Sequence, residues 1–147
     1  MRNTKQYITV VCVLILPLLA ACTQDNTHSK RKGRWYTEAQ VNQGKAVFET
    51  HCIACHKKNA AGTRNWKIPL LDGFYPPPPL NGSAHAWHHR LSVLKRTIDE
   101  GGAALEGTMP GFKDRISAAE KDAVIAYFQD FWSDEIYSMW LERGGLD

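Results

Sequence analysis

Cysteine is scarce in this 147-residue chain, with four in all, at positions 12, 22, 52 and 55. That is thin material for a disulfide framework. Alternation of apolar and polar residues is absent, which argues against a sheet-based fold. No internal repeat appears, and only the proline run at 76–79 is compositionally biased. Excess charge is lacking too: 18 basic against 15 acidic side chains give a formal net charge of +3. The apolar run at 8–21, interrupted by Thr9 and Pro17, is shorter than the roughly 20 residues a spanning helix needs.

That run is informative in another way. Arg2 and Lys5 precede it, and small residues end it, the layout of an export signal. Its end, Leu19-Ala20-Ala21-Cys22, resembles the lipobox of bacterial lipoproteins, where the peptide is cut before a cysteine that then carries diacylglycerol. The expectation is a signal peptide over 1–21 and a lipid on Cys22, which anchors a protein peripherally rather than spanning the bilayer. An ordinary signal peptide with a stray Cys22, or an uncleaved anchor, is the plainer reading. The chain is then exported, on the periplasmic side of the envelope, with the inner or outer membrane left open. Nucleic acid does not fit an exported chain. Cys12 leaves with the signal and Cys22 is acylated, so only Cys52 and Cys55 remain to build a site.

Charge is distributed unevenly. Residues 28–98 hold 12 basic and 3 acidic side chains; residues 99–147 hold 4 and 11. The basic cluster at 30–34 reads as a contact to anionic headgroups or as a solvated linker. Residues 22–37 read as a polar tether. Thr37-Glu38-Ala39-Gln40 is a capping box, after which Val41, Gly44 and Phe48 recur at helical spacing. A second helix is expected from Ser83, with the stripe Trp87, Leu91, Leu94, Ile98. A third opens at the capping box Ser117-Ala118-Ala119-Glu120 and carries Val124, Tyr127, Phe128 and Phe131. Residues 133–147 read as a short amphipathic tail. Residues 57–82 read as a long loop, and another loop holds Gly107-Thr108-Met109-Pro110-Gly111-Phe112. The pattern is all-α, with too few apolar residues outside three modest helices; a large buried cofactor would supply the missing core.

The first helix runs into Cys52-Ile53-Ala54-Cys55-His56. A structural zinc site wants four ligands and usually a second pair of cysteines or histidines at matching spacing; no second CxxC exists. A thioredoxin-like pair wants a preceding strand in a βαβ unit, which an all-α chain denies. Covalent haem meets each constraint. Two thiols one helical turn apart can add to two vinyl groups, and His56 follows where it can ligate iron.

With these residues the chain resembles the class I cytochrome c family over 38–132. The matching positions are Gly44, Phe48, the Cys52 to His56 motif, Pro78-Pro79-Leu80-Asn81-Gly82, Thr108-Met109-Pro110-Gly111-Phe112 and Tyr127. The resemblance implies a cytochrome c-like fold, three main helices and long loops wrapped around one covalent haem c. It implies Cys52 and Cys55 as the attachment, His56 and Met109 as axial ligands to iron, and the Pro79 carbonyl as acceptor for the His56 ring N–H. Four consecutive prolines leave Pro78 open as the acceptor. Met139, spaced with Ile136 and Trp140, reads as a packing residue. Iron closed by His and Met shuttles electrons, so the function implied is a one-electron carrier without a catalytic acid or base, not an enzyme. The alternative is a haem subunit of a periplasmic redox enzyme with a displaceable sixth ligand.

His85, His88 and His89 admit several readings: solvated histidines at a helix start, one bonding a haem propionate; a copper or zinc site; or His88 in place of Met109 on iron. Partners are expected to be redox proteins with an acidic docking surface, steered by Lys57, Lys58, Arg64 and Lys67 beside the attachment motif.

Overall fold

The computed structural model describes Arg31 and residues 33–147. The expected signal peptide, Cys22 and the tether through residue 30 lie outside the described residues. The helices are α1 (Glu38–His51), α2 (Ile53–His56), α3 (Leu91–Glu100), α4 (Ala118–Gln129) and α5 (Asp134–Glu142), with 3-10 turns at Lys58–Ala60, His85–His88 and Ala103–Leu105. Among the described residues no strand forms; an isolated bridge joins Tyr75 and Gly107. The fold is all-α.

Both capping boxes form. Thr37 Oγ1 accepts from the Gln40 N–H at 3.2 Å while Gln40 Oε1 accepts from the Thr37 N–H at 2.9 Å. Ser117 and Glu120 make the same exchange at 3.3 and 2.8 Å. Each box satisfies two helix-end donors that would otherwise lack partners. The helices so started, α1 and α4, cross at Gly44. A Cβ there would lie 1.9 Å from the Ala123 carbonyl oxygen, so only glycine lets the backbones meet. Phe48 and Tyr127 pack beside the crossing with ring centroids 5.1 Å apart.

The helix expected from Ser83 is broken. The Ser83 hydroxyl and N–H both turn to Asn81 Oδ1, at 2.6 and 3.2 Å, so the serine caps nothing. A 3-10 turn follows, His89 and Arg90 are extended, and α3 begins only at Leu91. The His89 carbonyl accepts from Trp140 Nε1 at 2.8 Å instead of joining a helical ladder. Of the expected stripe, Leu94 is buried and the others are partly buried.

The segment just ahead of α1 and the C-terminal α5 belong to the core. Ser133 caps α5, and Trp132, Tyr137 and Trp140 are buried. Tyr36 is fully buried; the Trp35 N–H donates to the Tyr137 hydroxyl at 2.9 Å, and Trp35 Nε1 donates to Gln129 Oε1 at 2.7 Å. A polar tether through residue 37 is therefore not what forms: its last aromatic residues are packed against α4 and α5. Phe131, assigned by periodicity to the apolar face of α4, lies beyond the helix end and is exposed.

Candidate functional site

A cavity of about 1220 Å³ separates the α1–α2 corner and the proline run from α3 and the Met109 loop. Ordinary small-molecule sites occupy roughly 300–1,000 Å³, so this one suits a large ligand. Cys52, Cys55, His56 and Met109 all line it.

The thiols are placed by a helical turn. The Cys52 carbonyl accepts from the Cys55 and His56 N–H groups at 3.2 and 2.9 Å. Both cysteines are free. Burial pushes the Cys52 thiol up to about 11, so it stays protonated. His56 is buried, and its Nδ1 lies 3.1 Å from the Pro78 carbonyl oxygen. With Nδ1–H donating there, Nε2 keeps its lone pair for a metal. Burial also lowers the His56 pKa, favouring the neutral imidazole a metal requires.

The acceptor is Pro78, correcting the expectation of Pro79. Prolines offer no N–H, so the register of the run is set by bonds at its two ends. The Thr63 N–H donates to the Pro77 carbonyl, and the Leu80 N–H to the Ala60 carbonyl, both at 2.8 Å. Gly62, at φ +60°, backs the Pro78–Pro79 peptide so closely that a Cβ would lie 2.3 Å from Pro79 N. Only a residue without a side chain fits there. Lys57, Asn59 and Ala60 also take positive φ, at 61°, 57° and 53°. Each such non-glycine residue costs on the order of 1 kcal/mol. The bond from the Gly62 N–H to the His56 carbonyl, 2.7 Å, holds this wound segment in place. Strain is concentrated beside the site, as at many functional loops.

Met109 is held from the opposite side. Its carbonyl accepts from the Gly102 N–H, and the Gly102 carbonyl accepts from the Gly107 N–H, both at 2.9 Å. Met139, on α5, is not among the cavity-lining residues.

The histidine cluster divides. His85 and His89 line the cavity, but His88 does not; it is exposed and packs on Trp87 with centroids 3.9 Å apart. The 3-10 turn and the extended His89 break the helical spacing that would have aligned the three. Among the described residues no group of three His, Cys, Asp or Glu side chains is placed to hold a metal ion. A three-histidine copper or zinc site is thus not assembled, and His88 is turned away from the cavity that Met109 lines.

Two thiols, a neutral imidazole and a thioether line one cavity, with Lys67, Arg96 and the histidines elsewhere on its wall. The Nδ1 of His85 is buried without a hydrogen-bond partner. This donor set fits a large, flat, mostly apolar group with carboxylates at its edge, which is haem.

A family model described as "Cytochrome C oxidase, cbb3-type, subunit III" matches residues 39–128. The chain belongs to this family of class I c-type cytochromes. Neither the search of curated proteins nor that of solved structures returns a match. The family is one of haem-based electron transfer, and membership carries with it covalent haem c.

Sequence reasoning missed two anchors of this cytochrome's site. Trp132 Nε1 donates to the Leu80 carbonyl at 2.8 Å, holding the end of the proline run. Trp140 does the same for His89. The aromatic density from Tyr127 to Trp140 was the available signal. Arg96 on the cavity wall carried none.

Proposed function

We propose that this cytochrome is a single-haem, one-electron carrier, held by lipid on Cys22 to the exported side of the bacterial envelope. The observation that carries the reading is that Cys52, Cys55, His56 and Met109 share one cavity. Haem bound there supplies a one-electron couple. Cys52 and Cys55 would hold it covalently, His56 would ligate iron through Nε2 with Pro78 fixing its tautomer, and Met109 would offer its thioether as the second protein ligand. The Leu19-Ala20-Ala21-Cys22 sequence and an apolar run, 8–21, shorter than the roughly 20 residues a spanning helix needs support an anchored rather than a spanning chain.

The surface near the cavity supports a protein partner. Leu105 is 67 % exposed, and Ile68, Leu70, Leu71 and Phe74 are also exposed. Tyr75 ties their loop to the Leu105 turn through the Glu106 carbonyl at 2.7 Å. Exposed Lys57, Lys58, Arg64 and Lys67 lie near this apolar patch in sequence. An apolar centre with a basic rim suits docking on an acidic redox partner.

Met109→Ala tests the ligand set. The variant is expected to keep haem on the denatured chain, to lose the weak long-wavelength sulfur-to-iron absorption, to bind carbon monoxide and to fall in reduction potential. Met139→Ala is expected to do none of these. A spectrum unchanged by Met109→Ala removes the thioether from iron. The family's description as an oxidase subunit favours a second reading, a haem subunit of a membrane oxidoreductase complex. Native-size separation of gently solubilised membranes distinguishes the two, since a free carrier migrates alone.

A further inference from the structure

His85 differs from the other histidines in where its polar edge is placed. Its ring stacks on Trp66, centroids 4.7 Å apart and planes at 28°. The His89 ring meets it edgewise at 5.4 Å. Its Nδ1 is buried and has no hydrogen-bond partner, on a residue that lines the cavity.

The charged and titratable groups that face this ring come from three segments. His88 and His89 belong to its own turn and the residue after it, and Lys67 belongs to the loop that carries Trp66. From α3, Arg96 and Glu100 line the same cavity, and Glu100 is the one carboxylate on its wall. His89, His88 and Lys67 all disfavour a proton on His85. The proton balance of His85 is therefore left to the charge that fills the cavity.

Resting on the haem reading above, we infer that His85 is the proton partner of the electron held in this cavity. When a donor protein delivers one electron, the imidazole takes one proton from solvent; when the electron leaves, the proton returns to solvent.

Burial, then the neighbouring His89, His88 and Lys67, push the His85 pKa below the ordinary histidine value. These surroundings favour the uncharged imidazole. One added electron removes one unit of positive charge from the cavity. A unit charge elsewhere in the same cavity, through an effective dielectric constant of about 20, moves a neighbouring pKa by on the order of one unit. The proton affinity of His85 thus rises about tenfold on reduction. By linkage, a proton on His85 raises the affinity for the electron by the same factor. The Trp66 face gives the imidazolium a favourable cation–π contact, which keeps the charged form within reach.

The test uses the holoprotein. Its midpoint potential is followed from mildly acidic to neutral pH, and His85 is titrated by nuclear magnetic resonance in both oxidation states. The potential is expected to fall with rising pH in one step of about 59 mV, the one-electron equivalent of a tenfold change. The two His85 pKa values should bracket that step, with the reduced protein's the higher. His85→Phe preserves a ring on Trp66 and should abolish the step; His89→Gln should retain it. A flat wild-type profile, a step that survives His85→Phe, or one lost instead in His89→Gln overturns the inference. An identical His85 pKa in the two states overturns it as well, even where His85→Phe fails to take up haem. Failure of the haem reading looks different: no haem absorbance remains on the denatured chain, whereas here it remains and only the step is missing.

Discussion

The two sides of the molecule are built on different principles. On the helical side, α1, α4, α5 and the segment before α1 bury Tyr36, Phe48, Ile125, Trp132, Tyr137 and Trp140. Over residues 57–112, the buried apolar side chains outside the proline run are only Ala60, Ala86, Leu94 and Phe112, around a cavity of about 1220 Å³. Side chains fill one core, and the other is completed by a cofactor. Cavities of that size are incompatible with the close packing of protein interiors unless a ligand fills them. The helical side is a frame, and the loops are its clamp.

The largest expected effect comes from withholding the cofactor. In Cys52→Ser/Cys55→Ser, haem has no covalent hold, and the loop side loses its core. Amide hydrogen exchange in residues 63–80 and 101–112 should approach that of the denatured chain. Amides near the α1–α4 crossing should stay slower by roughly a hundredfold, about 2.7 kcal/mol of local stability. Uniform loss of protection across both sides would remove the distinction drawn between them.

Gly44→Val attacks the frame instead. The added side chain meets the Ala123 backbone, which cannot move as a flexible side chain could. The expected cost is about 3 kcal/mol, read as a lower denaturation midpoint in the holoprotein. The haem absorption spectrum should persist until the protein unfolds. Early loss of that spectrum would mean that frame and clamp are one cooperative unit.

Trp140→Phe acts where the two sides join. It leaves the His89 carbonyl without its indole donor and removes part of a buried ring. A sheltered carbonyl left unpaired costs on the order of 1 kcal/mol and the trimmed buried ring adds to that, so a loss of about 2 kcal/mol is expected, with faster exchange around His85–His88. Loss of stability without that local exchange would place Trp140 in the frame alone.

The frame was more legible in the sequence than the clamp. Capping boxes are local: Thr37 with Gln40 and Ser117 with Glu120 need no distant partner, and both form. Gly44 and the Cys52 to His56 motif are local too. What failed depended on competition or on distant contacts. Ser83 looked like a cap, but Asn81 two residues earlier captured its hydroxyl. Pro78 and Pro79 are indistinguishable as acceptors until bonds from Thr63 and Leu80 fix the register. The C-terminal tail looked amphipathic because α5 does present a polar face. Its apolar face is covered by Trp35 and Tyr36, about a hundred residues away, and no local pattern announces that pairing.

The smallest effect is expected from an ion pair that binds the first described residues to α5. Arg34 donates to Asp134 Oδ1 at 2.7 Å, yet the Asp134 side chain is 99 % exposed while that of Arg34 is only 11 %. Water screens the acidic partner, and exposed pairs of this kind contribute little. Arg34 also donates to the Trp132 carbonyl at 3.0 Å and lies 4.1 Å above the Tyr137 ring. Those contacts are partly sheltered and join the chain ahead of α1 to the two aromatic residues that help build the frame. Asp134→Asn should therefore leave the melting midpoint unchanged within error. Arg34→Ala should cost about 1 kcal/mol through the lost carbonyl bond and ring contact, at high salt as at low. A salt-sensitive loss shared equally by both variants would show that the charge pair, rather than the aromatic packing, fastens the segment ahead of α1 to the frame.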